Sequence, residues 1–126
     1  MPNGDRTLNV VGDSFCNANG GQRQVEISFC HAGEAVGLRR ARGSHRGMKA
    51  VAVISCRGVQ VGNLKAEDAR WVDERMEYGT PMPAIIERIN GGTPDRPSLG
   101  LTIRLNIDGI TPIARRRGWF DKLLDR

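Results

Sequence analysis

Apolar and polar residues alternate along most of the chain, which is typical of strands that bury one face. The clearest cases are residues 49–56, with β-branched residues through the middle, and residues 99–107, with Leu or Ile at every second position. Shorter runs of strand character occupy residues 7–11, 35–38 and 84–89. Arg57 and Gly58 predict a tight turn from residues 49–56 into a returning strand at 59–61.

Residues 25–29 (VEISF) also alternate with a period of two, which predicts a further half-buried strand. Asn and Gly are concentrated in residues 13–22, and residues 90–97 combine Asn, Gly and Pro, so both segments are predicted to be loops or turns. Within residues 99–107 the intervening positions predict a solvent-exposed strand face. They are Gly100, Thr102, Arg104 and Asn106.

One helix is predicted at about residues 66–78, where Ala69, Val72 and Met76 recur at intervals of three and four. Gly79 stands where a C-terminal cap belongs. Several short strands with a single main helix indicate a mainly β domain, either a small barrel or a sandwich.

Residues 110–126 form a C-terminal extension of different composition, basic and amphipathic, after a domain at residues 1–109. A short helix is predicted there, because apolar pairs recur four residues apart. The pairs are Trp119 with Leu123 and Phe120 with Leu124. This helix either packs back on its own domain or docks a protein partner or a second protomer.

The chain is basic, with a net charge of +5 over 126 residues and a pI near 9.7. Residues 38–49 carry five positive charges and no acid. Such a surface attracts polyanions, although a solvated loop in a basic protein has the same composition. There is no apolar run of membrane-spanning length and no secretory signal, so we expect a soluble cytoplasmic protein with no membrane contact.

Cysteines 16, 30 and 56 are widely spaced and are expected to be reduced and mostly buried. A zinc site built from them with His31 and His45 lacks the paired spacing of such sites, so we expect neither a metal nor a cofactor. No nucleophile elbow, P-loop or zinc-protease motif is present, and we expect no enzymatic activity.

Four stretches, taken in order, carry a family pattern. They are residues 10–15 (VVGDSF) with 22–27 (QRQVEI), residues 33–38 (GEAVGL), residues 50–53 (AVAV) through 61–64 (VGNL), and residues 99–105. In this order and spacing they resemble the stand-alone bacterial members of the HIRAN family over about residues 7–107. The resemblance implies a small OB-like or SH3-like β-barrel of about six strands with two helices, and binding of single-stranded DNA or DNA ends.

One animal member of the family holds the 3′-hydroxyl end of single-stranded DNA in a pocket. The matching positions here are Ser14, Phe15 and Cys16, the loop Ser44–Gly47, and Asn63 with Lys65. Phe15 is suited either to stacking on a terminal base or to capping the barrel core. Lys65 is suited to a phosphate contact or to simple solvation.

The basic loop adds Arg39, Arg40, Arg42 and Arg46 to the predicted nucleic-acid-binding residues. Gly47 stands where the family has an Asp suited to accept a bond from a terminal hydroxyl, which weakens the expectation of 3′-end selectivity. We therefore predict a non-catalytic nucleic-acid-binding module. The alternatives are a protein-interaction or assembly module that acts through its basic surface and tail, and an enzyme whose catalytic groups converge only in space.

Overall fold

The computed structural model describes residues 4–12, 22–40, 50–107, 109 and 112. These residues form six strands and two helices. In chain order the elements are β1 Asp5–Val11, α1 Arg23–Ser28, β2 Ala35–Arg40, β3 Val51–Ile54, β4 Gln60–Leu64, α2 Ala66–Glu77, β5 Ala84–Gly91 and β6 Leu99–Asn106. The mainly β, six-stranded fold predicted from the sequence is confirmed. The predicted C-terminal helix lies outside the described residues.

The strands close into a barrel of antiparallel neighbours in the order β1-β4-β3-β2-β5-β6. Strand β1 pairs with two different strands along its length. Its residues 5–9 pair with β6, and Val10 and Val11 then pair with β4. Gly62 permits this crossing, because a Cβ there would collide with Val10 and lie 2.6 Å from the Val11 carbonyl oxygen.

The barrel interior is filled by the apolar positions of the alternating strands, which stabilise the fold through burial of apolar surface. In β6 these are Leu101, Ile103 and Leu105, each no more than 1% exposed. The prediction that the opposite face of β6 is solvent-exposed is wrong. Thr102, Arg104 and Asn106 are all 3% exposed or less, because side chains of the neighbouring strands cover and hydrogen-bond them.

Helix α2 agrees with the predicted helix, with Ala69 and Val72 buried against the barrel. Gly79 ends it as expected, with a φ of 78° and its N–H bonded to the Met76 carbonyl oxygen at 3.0 Å. An ion pair from Arg40 at the end of β2 to Asp73 holds the helix in place, with Nε 2.7 Å from Oδ1.

Residues 25–29 are not the predicted strand, because α1 occupies Arg23–Ser28. Its buried residues are Arg23, Glu26 and Ile27, spaced three and four apart, whereas Val25 and Phe29 are 51% and 57% exposed. Two of the three buried side chains are charged, so apolar periodicity could not reveal the helix. Their burial is made possible by partners distant in sequence, since Arg23 donates to the Gly12 carbonyl and Glu26 accepts from Ser55.

Candidate nucleic-acid interface

A groove of about 520 Å³ lies where β1 leaves β6 and crosses to β4. One wall is the end of β1, and the other is the end of β5 with the turn that follows it. Gly100 faces Asn90 in the strand register and adds no side chain, which leaves the groove open. The lining residues are Asn9, Val10, Val11, Arg88, Asn90, Gly91, Arg96, Pro97, Ser98, Leu99, Gly100 and Leu101. Two of them are arginines and none is acidic, so the charged side chains of the lining are all positive.

Helix α1 fixes both sides of the groove. Gln24 Nε2 donates to the Leu99 carbonyl and the Leu99 N–H donates to Gln24 Oε1, each at 2.7 Å. The amide thus bonds the start of β6 as a neighbouring strand would, at the place that β1 has left. Arg23 NH1 donates to the Gly12 carbonyl at 2.7 Å and so holds the end of β1.

A chain of hydrogen bonds links the two walls of the groove, from β5 to β1. Arg88 Nε donates to Asn90 Oδ1 at 2.9 Å, and Asn90 Nδ2 donates to Thr102 Oγ1 at 2.8 Å. The Thr102 hydroxyl in turn bonds Asn9 Oδ1 at 2.9 Å. Thr102 is 1% exposed, so the middle of this chain is shielded from water.

The chemistry of arginine sets the direction of that chain. A guanidinium can only donate, so the Asn90 oxygen must face Arg88 and the Asn90 nitrogen must face Thr102. The atom of Asn9 that faces Thr102 is Oδ1, which can only accept, so the Thr102 hydroxyl donates to it. Consequently the Asn9 amide is left with its nitrogen, a donor, to offer to a ligand.

Arg104 binds two carboxylates, those of Glu87 and Asp5. Its Nε and NH2 bond the two oxygens of Glu87 at 2.9 and 3.0 Å, and NH1 lies 3.4 Å from Asp5 Oδ2. The hydrogen bonds to Glu87 raise the pKa of Arg104 against the opposing effect of burial. Asp5 also accepts from Asn106 Nδ2 at 2.7 Å. Both acids are therefore compensated, and the charge of Arg88 is not cancelled by its sequence neighbour Glu87.

Two predicted site residues, Arg39 and Asn63, lie on one row of the outer barrel surface. The register aligns Arg39 with Ala52, Ala52 with Asn63, and Asn63 with Val11. Residues paired in this way point to the same face, and Arg39 and Asn63 are roughly 10 Å apart across two strand spacings. Because Val11 also lines the groove, the row continues into it.

The other described site residues differ in whether their side chains form hydrogen bonds or ion pairs within the protein. Lys65 is exposed and directly precedes α2. Arg40 bonds Asp73, and this hydrogen bond raises the pKa of its guanidinium, so its charge is compensated within the protein. Arg39 makes no hydrogen bond or ion pair within the part of the chain that the structure describes.

The remaining site predictions fall outside the described residues. They are Ser14, Phe15, Cys16, Arg42, Ser44, Arg46 and Gly47. Of the described residues that flank them, Gly12 directly follows the groove residue Val11, and Arg40 pairs with Val51.

Asn9, Arg88, Asn90 and Arg96 line the groove and were not anticipated from the sequence. A signal for two of them was present. Arg88 and Asn90 flank Ile89 with a period of two, which places them on the same face of a strand. Sequence reasoning ended the strand at Ile89 and assigned Asn90 to a turn, whereas β5 continues to Gly91.

No group of three or more metal-ligating side chains occurs in the described part of the chain. Of its two cysteines, Cys30 is buried as expected and Cys56 is exposed. Neither described helix has the length and apolar character needed to cross a membrane.

No protein-family model matches the sequence, and no curated protein matches it. Solved structures do match the fold. The HIRAN domain of human HLTF aligns with a TM-score of 0.59 at 18% identity, over 81% of this chain and 73% of that one. A structural-genomics protein from Lactobacillus plantarum aligns with a TM-score of 0.60 at 20% identity, over 82% of this chain and 99% of that one. The chain therefore has a HIRAN-like fold, as the sequence resemblance implied.

Proposed function

We propose that this HIRAN-like domain is a non-catalytic module that binds single-stranded DNA or DNA ends. The observation that carries the proposal is the groove beside the end of β1, which combines two arginines with asparagine amides and has no acidic lining residue. Nucleic-acid backbones are anionic and accept hydrogen bonds, so such a groove favours them over neutral or cationic ligands.

The predicted binding residues extend this surface. Arg39 and Asn63 lie on the row that enters the groove at Val11, and Val11 is followed directly by Gly12. In the proposal Phe15 stacks on a base, and Arg42 and Arg46 contact phosphates. Base stacking on an aromatic side chain contributes about 1–3 kcal/mol, and each phosphate contact adds to the salt dependence of binding.

The test is a titration of the protein into fluorescent single-stranded oligonucleotides, with a duplex control, at about 50 and 200 mM salt. We expect binding that weakens with salt. Arg88→Ala should reduce the salt slope by about 0.7, the value for one phosphate of a single strand. Arg70→Ala, which removes an exposed arginine of α2 that does not line the groove, should leave the slope unchanged.

Absence of binding to every oligonucleotide at the lower salt concentration would contradict the proposal. The alternative would then be assembly through the amphipathic segment that contains Trp119, Phe120, Leu123 and Leu124. Assembly driven by apolar burial weakens little with salt, so sedimentation at both salt concentrations distinguishes the two functions.

A further inference from the structure

We propose that the groove binds a terminal phosphate, a phosphomonoester at the end of a nucleic-acid strand, in preference to a terminal hydroxyl. This inference rests on the proposed function and adds the chemical class of the strand end. It follows from the kind of hydrogen-bonding groups that the groove has left to offer.

The chain of hydrogen bonds leaves donors in the lining that have no partner among the described residues. Arg88 uses Nε internally, and its two terminal nitrogens have no partner within the described residues. Asn9 uses its oxygen and keeps its amide nitrogen. Arg96, exposed in the turn before β6, adds a second guanidinium to the lining.

Acceptors in the lining side chains are mostly in use. The oxygens of Asn9 and Asn90 already accept hydrogen bonds from Thr102 and Arg88. The hydroxyl of Ser98 is the lining side-chain acceptor that has no hydrogen bond within the described residues, and each of the two amide oxygens retains one lone pair. A terminal hydroxyl can use these neutral acceptors but engages few of the free donors, so the groove satisfies it less fully than it satisfies an anion.

A terminal phosphate suits these donors. It has three non-ester oxygens that accept strong hydrogen bonds and carries a charge of about −1.5 to −2 at neutral pH. An internal phosphodiester has fewer free oxygens and a single charge. Hydrogen bonds from guanidinium groups to phosphate oxygens are charge-assisted, and the larger charge of the monoester strengthens them.

The local electrostatics point in the same direction. Glu87, adjacent to Arg88 in sequence, is bound by Arg104, and so is Asp5. The acid nearest Arg96 in sequence is Asp95, which is not a lining residue. An anion in the groove therefore faces two arginines without a competing carboxylate in the lining.

The experiment compares one oligonucleotide sequence in four forms: 3′-hydroxyl, 3′-phosphate, 5′-phosphate, and both ends blocked by neutral groups. Dissociation constants are measured at low salt for the wild type, Arg88→Ala, Asn9→Asp and the control Arg70→Ala. Thermal unfolding of each variant verifies that it is folded. Inorganic phosphate is added as a competitor, to separate a strand terminus from free phosphate.

We expect at least one phosphorylated end to bind about tenfold more tightly than the hydroxyl end, as charge-assisted bonds to the added anion imply. Arg88→Ala should remove most of this preference. Asn9→Asp, which replaces a donor by an anionic acceptor, should remove or reverse it. Arg70→Ala should retain it.

Equal binding of all four forms would overturn the inference while leaving the proposed nucleic-acid binding intact. A preference that persists unchanged in both groove variants would overturn it as well, since the groove would not be its source. Inorganic phosphate that competes as tightly as the phosphorylated strand would assign the groove to free phosphate instead. Failure of every form to bind would contradict the proposed function itself.

Discussion

Thr102 is the single residue on which the geometry of the groove most depends. Its hydroxyl accepts from Asn90 and donates to Asn9, so it joins the two walls. It is also almost completely buried, so water cannot readily replace either bond. Removing the hydroxyl leaves two amide groups without their partner at once.

Thr102→Val, which keeps the shape of the side chain, should lower the free energy of unfolding by about 1–3 kcal/mol, the net contribution of the two hydrogen bonds that are lost. Urea unfolding measures this change. Thr7→Val is the matched control, because Thr7 is exposed on β1 next to Arg104 in the register, and its effect should stay within about 0.5 kcal/mol. Equal effects of the two substitutions would contradict the role given to Thr102.

Among the elements, α1 bonds segments on both sides of the groove although it has only six residues. It bonds the end of β1 through Arg23 and the start of β6 through Gln24, on opposite sides of the groove. Isolated helices of this length are unstable, so these contacts with the barrel are what maintain it.

Gln24→Leu should lower the free energy of unfolding by about 1–2 kcal/mol, because two hydrogen bonds to the Leu99 backbone are lost. The loss stays within this range because Leu99 is partly exposed, so water can bond its backbone groups instead. The same substitution should speed hydrogen exchange of the Leu99 amide relative to the centre of β6. Val25→Ala, one position along on the exposed side of α1, is the control and should leave that exchange unchanged. Unaltered exchange in Gln24→Leu would show that the side chain does not hold β6.

For the whole molecule, one ion cluster joins three segments that are far apart in sequence. Arg57, in the turn between β3 and β4, lies 2.6 Å from Glu26 of α1 and 3.4 Å from Glu34, just before β2. Burial pushes the pKa of Glu34 upward. The His31 backbone N–H and Arg57 outweigh that effect, so the pKa is lowered from its usual 4.5.

This lowered pKa makes stability depend on acid. The unfolded chain binds the proton more readily than the folded protein, so Glu34 stabilises the fold above about pH 4.5, and this is lost as the pH falls through the lower folded value. The free energy of unfolding of Glu34→Gln should therefore fall less steeply than that of the wild type between about pH 5 and pH 3. Glu74→Gln on the exposed side of α2 should retain the wild-type slope. Identical slopes for all three proteins would refute the prediction.

The elements that could be read from the sequence are those whose buried face is apolar. Helix α2 follows its apolar stripe, and β6 follows the alternation of its Leu and Ile residues, because burial of apolar surface acts wherever that periodicity occurs. Helix α1 was read as a strand, and the polar face of β6 as exposed. In both cases charged or polar side chains are buried by partners distant in the chain.

The sequence by itself determined the mainly β class, the approximate positions of the six strands and the position of α2, because local periodicity and glycine turns suffice for these. It also determined the positive charge that favours an anionic ligand. Only the tertiary structure decided where the groove lies and that Arg88, Asn90 and Asn9 share it. The physical reason is that the groove arises where β1 changes partners, and the direction of each hydrogen bond in it depends on side chains brought together by three different strands.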